Sequence, residues 1–316
     1  MKIIITEGAV ISCGDISFER FNKFGEVKIF DNLTYEELEK EIVDTNILLC
    51  NKVNVDRNIL EKAKRLKYIG TFATGYNNID IEYCKQKGIT VCNAGSYSTN
   101  AIAQQTFGYI LNHYCKMNEY NAFVKDGGWV RSPLFSPIAF PTDEIAGKTL
   151  GIIGYGSIGK TVAKIARAFD MKVIVYTRTV REDGITKFVT FDELLASADI
   201  ITLHCPLTKE NTDMFNADTF AKCKDGAFFI NTARGGLVDE YALCDALESG
   251  KLSGAAVDVL KKEPMSDDCV LFNAKNITIT PHTAWAPLTT RKRLLDLVVK
   301  SLSDFICGKT VKNLAE

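Results

Sequence analysis

The 316 residues contain only three histidines, and acid–base chemistry is sought there first. His113 falls inside a predicted helix and is interpreted as a packed or surface side chain. His204 ends an apolar run, where it would stand on the loop after a strand. His282 follows another predicted strand, within the rigid segment Thr280-Pro-His-Thr-Ala-Trp-Ala-Pro287. Because imidazole titrates near physiological pH, His282 is the candidate general acid–base group.

Two other charged side chains also follow predicted strands. Arg234 lies on the glycine-flanked loop Asn231-Thr-Ala-Arg-Gly-Gly236, where a guanidinium could bind a carboxylate bidentately and polarise a neighbouring carbonyl. Glu263 precedes a proline, and a carboxylate hydrogen-bonded to His282 would favour the protonated imidazole. Taken alone, Glu263 is better interpreted as a surface ion. Together, an arginine, a glutamate and a histidine at three strand ends predict a catalytic group.

The cofactor signal is the segment Gly154-Tyr-Gly-Ser-Ile-Gly159. An apolar run precedes it, a helical pattern follows, and a second apolar run over residues 173–176 closes a strand–helix–strand unit, which is typical of a dinucleotide-binding fingerprint. Gly154 would permit the turn, Gly156 would admit the pyrophosphate, and Gly159 would let the helix pack on the strand. The alternative is a glycine-rich turn without a ligand.

The second strand of this unit lacks the acidic residue that would bind the ribose 2′-hydroxyl of NAD. The sequence there is Tyr176-Thr177-Arg178. A hydroxyl followed by a guanidinium suits a 2′-phosphate, because arginine binds phosphate through a fork of donors. NADP(H) is therefore favoured, and NAD(H) is the alternative if Arg178 is only a solvated loop residue.

Composition excludes several classes of function. With 38 basic and 39 acidic residues and a net charge of −1, nothing indicates a nucleic-acid or membrane surface. No apolar run approaches the roughly 20 residues that span a bilayer, and the short N-terminal apolar run is interpreted as a strand rather than a signal peptide. The ten cysteines form no CxxC pair, so a disulfide-free, cytoplasmic protein without a metal site is expected.

The apolar pattern predicts an α/β protein with two doubly wound, Rossmann-like or flavodoxin-like parallel-sheet domains and the active site in the cleft between them. Residues 1–98 alternate strands and helices without a glycine fingerprint. A long helix over 99–117, capped by Ser98 or Thr99, precedes an irregular excursion over 126–137. The dinucleotide-binding domain is predicted to span 99–284. The substrate domain is predicted to be discontinuous, with residues 1–98 plus 285–316 and a final amphipathic helix.

Over nearly its whole length, the sequence resembles the D-isomer-specific 2-hydroxyacid dehydrogenase family. Within the family it is most similar to the hydroxypyruvate reductase (glycerate dehydrogenase) and glyoxylate reductase branch, as Pro281-His-Thr-Ala-Trp-Ala286 indicates. The other matching motifs are Gly75-Tyr-Asn-Asn-Ile-Asp80, Tyr97-Ser-Thr-Asn-Ala-Ile-Ala-Gln104, the glycine fingerprint, the Asn231–Gly236 loop, and the segment from Asp258 through Glu263-Pro264.

This resemblance implies a role for each candidate residue. His282 would donate the proton in reduction and accept it in oxidation, with Glu263 as its partner, and Arg234 would bind the carboxylate and carbonyl of a 2-keto acid. Backbone amides near Thr74 and Gly75 would hold the other side of the carboxylate. Trp285 would contact the substrate. The pyrophosphate would be bound by Gly154, Gly156, Ser157, Ile158 and Gly159, and the ribose by Thr177 and Arg178. The adenosine side would be bordered by His204, Cys205 and Pro206, and the nicotinamide by Thr232, Ala233 and Asp258.

The expected function is thus NAD(P)-dependent reduction of a small 2-keto acid, with hydroxypyruvate or glyoxylate favoured. D-lactate dehydrogenation or reduction of a bulkier 2-keto acid is the alternative within the enzyme class. A NAD(H)-sensing, co-repressor-like binding protein is the alternative outside it. The family also implies D stereochemistry and a homodimer joined through the cofactor domains, with the 99–117 helix and the following excursion as the interface.

Overall fold

The computed structural model describes all 316 residues, which divide into two compact units. One unit consists of Met1–Ser98 together with Ala286–Glu316, and the other is Thr99–Trp285. No helix in either unit is both long enough and apolar enough to cross a bilayer.

The first unit is built on a five-stranded parallel sheet. Up to residue 98 its elements are β1 (Lys2–Ile5), α1 (Gly8–Ser12), β2 (Glu26–Ile29), α2 (Tyr35–Glu41), β3 (Ile47–Cys50), α3 (Arg57–Lys62), β4 (Tyr68–Thr71), α4 (Ile81–Lys87) and β5 (Thr90–Cys92). The strand order is β2-β1-β3-β4-β5. β3 and β4 are buried along their whole length, as expected for parallel strands covered on both faces. α2, α3 and α4 begin at the side-chain caps Thr34, Asp56 and Asp80.

The second unit is built on a seven-stranded sheet, also parallel, in the order β12-β11-β10-β9-β6-β7-β8. Its elements are α5 (Thr99–Cys115), α6 (Met117–Lys125), α7 (Gly128–Arg131), β6 (Thr149–Ile153), α8 (Ser157–Ala168), β7 (Lys172–Tyr176), β8 (Lys187–Phe188), α9 (Phe191–Ser197), β9 (Ile200–Leu203), α10 (Ala217–Lys222), β10 (Ala227–Asn231), α11 (Glu240–Glu248), β11 (Leu252–Val257) and β12 (Ile277–Ile279).

Two hydrophobic clusters cover the faces of this second sheet. Phe229 of β10 packs in one cluster with residues of α9, α10 and α11, while its neighbours Phe228 and Ile230 pack in the other with residues of α5 and α8. Side chains of a strand alternate between faces, so consecutive apolar residues serve both clusters. Because helices cover both faces of the sheet, the loops and their polar side chains lie at the ends of the strands.

The last helix, α12 (Leu288–Ile306), returns to the first unit. Arg291 near its start is 5% exposed, and its guanidinium donates to the carbonyls of Ile11, Ser12 and Ala286 and to both carboxylate oxygens of Asp15. The Arg291 charge holds the pKa of the Asp15 carboxyl below its usual value, chiefly through their hydrogen bond. The hydrogen bonds of the buried Arg291 guanidinium therefore hold α12 against the end of α1.

The predicted fold class of two parallel-sheet α/β domains is confirmed, and the structure also has local elements that were not predicted, among them α1, β8 and α9. The long helix ends at Cys115, because Lys116 adopts a left-handed backbone conformation (φ +51°) and a separate helix, α6, follows it. β2 was not predicted, since its Glu-Val-Lys-Ile sequence forms a largely exposed edge strand. The irregular excursion contains the short helix α7.

Arg291→Ala is expected to lower the free energy of unfolding of the first unit by about 2–3 kcal/mol, because it leaves buried carbonyls without a donor. Arg20→Ala is the matched control, since it also removes an arginine that bridges the N-terminal segment to α12, through Asp296, but at an exposed position. Urea denaturation followed by circular dichroism measures both. Equal changes for the two variants would contradict this account.

Candidate active site

The candidate catalytic side chains follow three neighbouring strands of the second sheet. β10 pairs with β11 and β11 pairs with β12, all in parallel. Arg234 stands on the loop after β10, Glu263 on the loop after β11, and His282 on the loop after β12. The carboxyl ends of parallel strands meet at one edge of the sheet, so these loops emerge side by side.

His282 and Glu263 are in direct contact. Nδ1 of the imidazole lies 2.7 Å from Oε2 of the carboxylate, and both side chains are partly exposed. The other oxygen, Oε1, accepts the backbone N–H of Leu260 at 3.1 Å, which fixes the carboxylate plane. A carboxylate only accepts hydrogen bonds, so Nδ1 carries the proton and Nε2 is the nitrogen that remains for chemistry.

Asp258, directly after β11, fixes the backbone around His282. Its carboxylate accepts the N–H groups of Thr283 at 2.9 Å and Ala284 at 3.0 Å, and its carbonyl accepts the N–H of His282 at 2.8 Å. Oδ1 also accepts the hydroxyl of Thr280. His282 has φ +55°, a left-handed conformation that is uncommon for a residue with a side chain. Asp258 therefore bonds to the chain on both sides of a strained residue.

Arg234 is brought to this edge by a close crossing of two loops. A Cβ on Gly235 would lie 1.9 Å from the carbonyl carbon of Leu260, so only glycine fits where the loop after β10 meets the loop after β11. Asn231 bonds to both the N–H of Ala233 and the carbonyl of Arg234, which shapes the turn. Nη1 of Arg234 donates to the Ala233 carbonyl at 2.7 Å. Sequence reasoning did not assign the roles of Asn231 and Gly235.

The glycine fingerprint has the geometry of an anion-binding turn. Gly154 has φ +95°, and a Cβ there would lie 2.7 Å from the backbone of His204 and Cys205. A Cβ on Gly159 would lie 2.2 Å from the Gly154 carbonyl oxygen, whereas one on Gly156 would meet nothing within 4 Å. Gly156 is also the N-cap of α8 and supplies no side-chain acceptor to its first turn. These residues fit a pyrophosphate above Gly156.

Thr177 and Arg178 directly follow β7, on a loop tied to the glycine turn. The Tyr155 hydroxyl in that turn lies 3.0 Å from an Asp183 oxygen and 2.6 Å from the Thr186 hydroxyl. The pKa of Glu210 is lowered mainly by the Thr208 side chain, with a smaller effect from the Arg178 charge. The Arg178 charge therefore acts on a carboxyl group of the loop that follows β9.

The residues after β9 and β10 present polar atoms without partners. His204 Nδ1 and the Thr232 hydroxyl are buried without a hydrogen bond, and a ligand could satisfy them. Burial lowers the pKa of His204 to about 3, and it raises the pKa of the adjacent Cys205 thiol to about 11. Both side chains are therefore neutral at pH 7. Pro206 follows them at the surface.

His113 serves packing. Its ring stacks on Phe228 with centroids 4.0 Å apart, and Nε2 lies 3.2 Å from the Ser253 hydroxyl. Burial lowers the pKa of His113 to about 4, so it too is neutral at pH 7.

Thr74 and Gly75 belong to the first unit, on the loop after β4. The Thr74 hydroxyl donates to the Gly95 carbonyl, and its own carbonyl accepts Asn93 Nδ2 at 2.6 Å. Asn78, a few residues on, donates to the Val53 carbonyl at 2.7 Å. These bonds fix the loop within its unit. Trp285 is the last residue of the second unit.

Known proteins resemble both the sequence and the fold. The model for "D-isomer specific 2-hydroxyacid dehydrogenase, NAD binding domain" matches residues 107–284. A hydroxypyruvate reductase of Blautia hydrogenotrophica is 38% identical over 98% of each chain, and a glyoxylate reductase of Thermococcus litoralis is 40% identical over 82% of this chain and 80% of the relative. A D-lactate dehydrogenase from Aquifex aeolicus, complexed with NAD and lactic acid, superposes with a TM-score of 0.85 at 31% identity, over 97% of this chain and 96% of that one.

These matches confirm the resemblance seen in the sequence motifs. The chain belongs to the D-isomer-specific 2-hydroxyacid dehydrogenase family, and it is an oxidoreductase that acts on a CH–OH group with a nicotinamide cofactor.

Proposed function

We propose that this protein reduces a small 2-keto acid with NAD(P)H, and that hydroxypyruvate or glyoxylate is the favoured substrate. The observation that carries the proposal is the 2.7 Å contact between His282 and Glu263, beside the loop of Arg234 in a unit with a dinucleotide-binding turn. The names of the two relatives support the substrate class. We propose that residues 99–284 form the dinucleotide-binding domain and that residues 1–98 plus 285–316 form the substrate domain.

In this proposal His282 is the proton donor. The bound nicotinamide supplies the hydride to the keto carbon. Nε2 of His282 gives a proton to the carbonyl oxygen as it becomes an alkoxide, and Glu263 holds Nδ1 and offsets the imidazolium charge. Arg234 binds the carboxylate and carbonyl oxygen and stabilises the negative charge as it develops. Thr74, Gly75 and Trp285 complete the proposed substrate contacts.

We propose NADP(H) as the preferred cofactor. The strand end that would carry an acidic residue for the NAD ribose carries Thr177 and Arg178 instead, and a guanidinium pairs well with a 2′-phosphate. Gly154, Gly156, Ser157, Ile158 and Gly159 are the proposed pyrophosphate contacts. Asp258 keeps acceptor capacity for a carboxamide, because the protein occupies three of its roughly four lone-pair positions. The Aquifex structure with NAD makes NAD(H) the alternative.

A homodimer joined through the second unit is part of the proposal. Five large apolar side chains are more than half exposed along one short segment, and we call them the 129–138 apolar patch: Trp129, Val130, Leu134, Phe135 and Ile138. Clustered exposed apolar groups are typical of protein interfaces, and a second copy of the chain is the proposed occupant. Ten free thiols accord with a reducing, cytoplasmic location, which we also propose.

The alternatives are separated by a substrate panel. NADPH and NADH oxidation are measured in parallel against hydroxypyruvate, glyoxylate, pyruvate and 2-ketoisocaproate. Turnover of pyruvate or 2-ketoisocaproate above the first two acids would favour a D-lactate dehydrogenase or a reductase of bulkier acids. No turnover of any acid, with NAD(H) still bound, would favour the co-repressor-like sensor.

His282→Ala is expected to lower kcat for the best substrate roughly 10²–10⁴-fold, because the variant has no general acid. Stopped-flow cofactor oxidation measures the change, and thermal melting shows that the variant is folded. Retention of most of the wild-type kcat would show that another group delivers the proton.

Arg178→Ala is expected to lower kcat/KM with NADPH about 10–100-fold and to leave kcat/KM with NADH nearly unchanged, because one charge-assisted contact to the 2′-phosphate is lost. Arg181→Ala, in the same exposed loop, is the matched control and should keep the wild-type cofactor ratio. A wild-type enzyme that prefers NADH, or an Arg178→Ala variant with an unchanged ratio, would refute the NADP(H) assignment.

Phe135→Asp is expected to convert a dimer of twice the 35.0 kDa chain mass into a monomer, since Phe135 is 92% exposed in the 129–138 apolar patch and a buried charge at an interface is costly. Light scattering coupled to gel filtration measures the mass. Ile185→Asp places the same charge on another exposed apolar position of the second unit and should leave the dimer intact. A monomeric wild-type protein would remove the proposal.

A further inference from the structure

We propose that Tyr109 and Thr280 are positioning residues for the acid–base histidine, acting through Asp258, and this inference rests on the function proposed above. Tyr109 lies in α5, far in sequence from the strand-end loops, and no motif singled it out. Its hydroxyl lies 2.5 Å from the hydroxyl of Thr280, which in turn donates to Oδ1 of Asp258. The three side chains form a chain of hydrogen bonds that ends at the loop carrying His282.

The direction of these hydrogen bonds follows from counting protons. The carboxylate of Asp258 can only accept, so the single hydroxyl proton of Thr280 points to Asp258. Thr280 then has only lone pairs to offer Tyr109, and the phenol must be the donor in that contact. Both hydroxyls therefore have a fixed orientation, and Tyr109, whose hydroxyl also bonds to the Gln105 side chain, is the donor toward Thr280.

Burial makes this chain of hydrogen bonds hard to replace. Tyr109 is 5% exposed and Asp258 is 2% exposed, so bulk water has little access to either end of the chain, whereas Thr280 between them is partly exposed. Burial also raises the pKa of Tyr109, which keeps the phenol protonated and able to donate. A hydrogen bond to a charged, buried acceptor contributes more than one at the surface, and successive hydrogen bonds polarise one another.

These hydrogen bonds determine the position of His282. Thr280 and Ala284 bracket the loop, and Asp258 accepts hydrogen bonds from residues on both sides of His282. His282 holds a left-handed backbone while its imidazole contacts Glu263, and such a conformation persists only when its surroundings over-determine it. Loss of the donor at Tyr109 or Thr280 lets the Asp258 carboxylate turn, so His282 samples other positions.

Four variants separate positioning from simple packing. Tyr109→Phe removes the first donor, Thr280→Val removes the central hydroxyl at nearly constant shape, and Thr280→Ser keeps that hydroxyl. Tyr114→Phe is the matched control, since it removes a tyrosine hydroxyl from the same helix but outside the Asp258 hydrogen bonds.

Steady-state kinetics with the best 2-keto acid is the first measurement. Tyr109→Phe and Thr280→Val should lower kcat roughly tenfold, with KM for the keto acid within about twofold of the wild-type value, because neither side chain is proposed to touch substrate. Thr280→Ser and Tyr114→Phe should keep the wild-type kcat. The double variant Tyr109→Phe/Thr280→Val should be no slower than Thr280→Val alone, because both changes act through one carboxylate.

The side-chain NMR spectrum of 15N-histidine-labelled protein is the second measurement, and it needs no turnover. The chain has three histidines, and the His282 signals are assigned by their loss in His282→Ala. Those signals should shift or broaden in Tyr109→Phe and Thr280→Val and stay at wild-type positions in Thr280→Ser and Tyr114→Phe.

The two measurements fail in different ways. A wild-type protein that turns over no 2-keto acid counts against the proposed function, and the NMR comparison still tests the positioning. Unchanged kcat and unchanged His282 signals in Tyr109→Phe and Thr280→Val would overturn the inference. Equal losses in Tyr114→Phe would also overturn it, because they would indicate a general effect of perturbing α5.

Discussion

The parallel pairing of β10, β11 and β12 is the constraint on which the candidate site depends. Asn231 pairs with Val257, and Val257 pairs with Ile279, so the three strands end at one level. The loops that follow must then emerge together, and polar side chains distant in sequence are brought to one edge. A slip of one residue in β12 would turn its side chains to the opposite face and separate His282 from Glu263.

The close approach of these loops costs free energy through backbone strain and steric crowding, and the surrounding residues offset both. A residue other than glycine with positive φ costs on the order of 1–3 kcal/mol, and His282 adopts this conformation. The hydrogen bonds to the Asp258 carbonyl and carboxylate offset this conformational cost locally. The close approach of the two loops is possible because Gly235 has no side chain: the backbones cross where a Cβ would overlap Leu260. The same edge is therefore both strained and rigid, as a preorganised site requires.

Much of the fold could be predicted from the sequence because buried parallel strands leave a local signature. The runs at Thr149–Ile153 and Ala227–Asn231 are continuous apolar segments bounded by polar or glycine residues, and the structure has strands over those residues. β2 left no such signature, because an exposed edge strand buries too little to need an apolar pattern. The break at Lys116 was missed for a similar reason, since no glycine or proline marks that left-handed turn.

The site was only partly predictable, because side-chain pairing across the chain has no local pattern. The sequence alone predicts Arg234, Glu263 and His282 on loops that follow strands, and the structure has them there. Neither Asp258 as the acceptor that holds the His282 loop nor Tyr109 as a remote donor could be inferred, since 171 residues separate Tyr109 from Thr280. Such contacts depend on how α5 packs over the sheet, and packing against distant elements is what periodicity does not encode.

The three histidines show why residue type alone does not define an acid–base site. His113 and His204 are desolvated, and their pKa values fall to about 4 and about 3, so they remain neutral at pH 7. His282 is partly open to solvent and has a carboxylate on Nδ1. Where each strand or helix places its histidine thus sets how far the imidazole is desolvated.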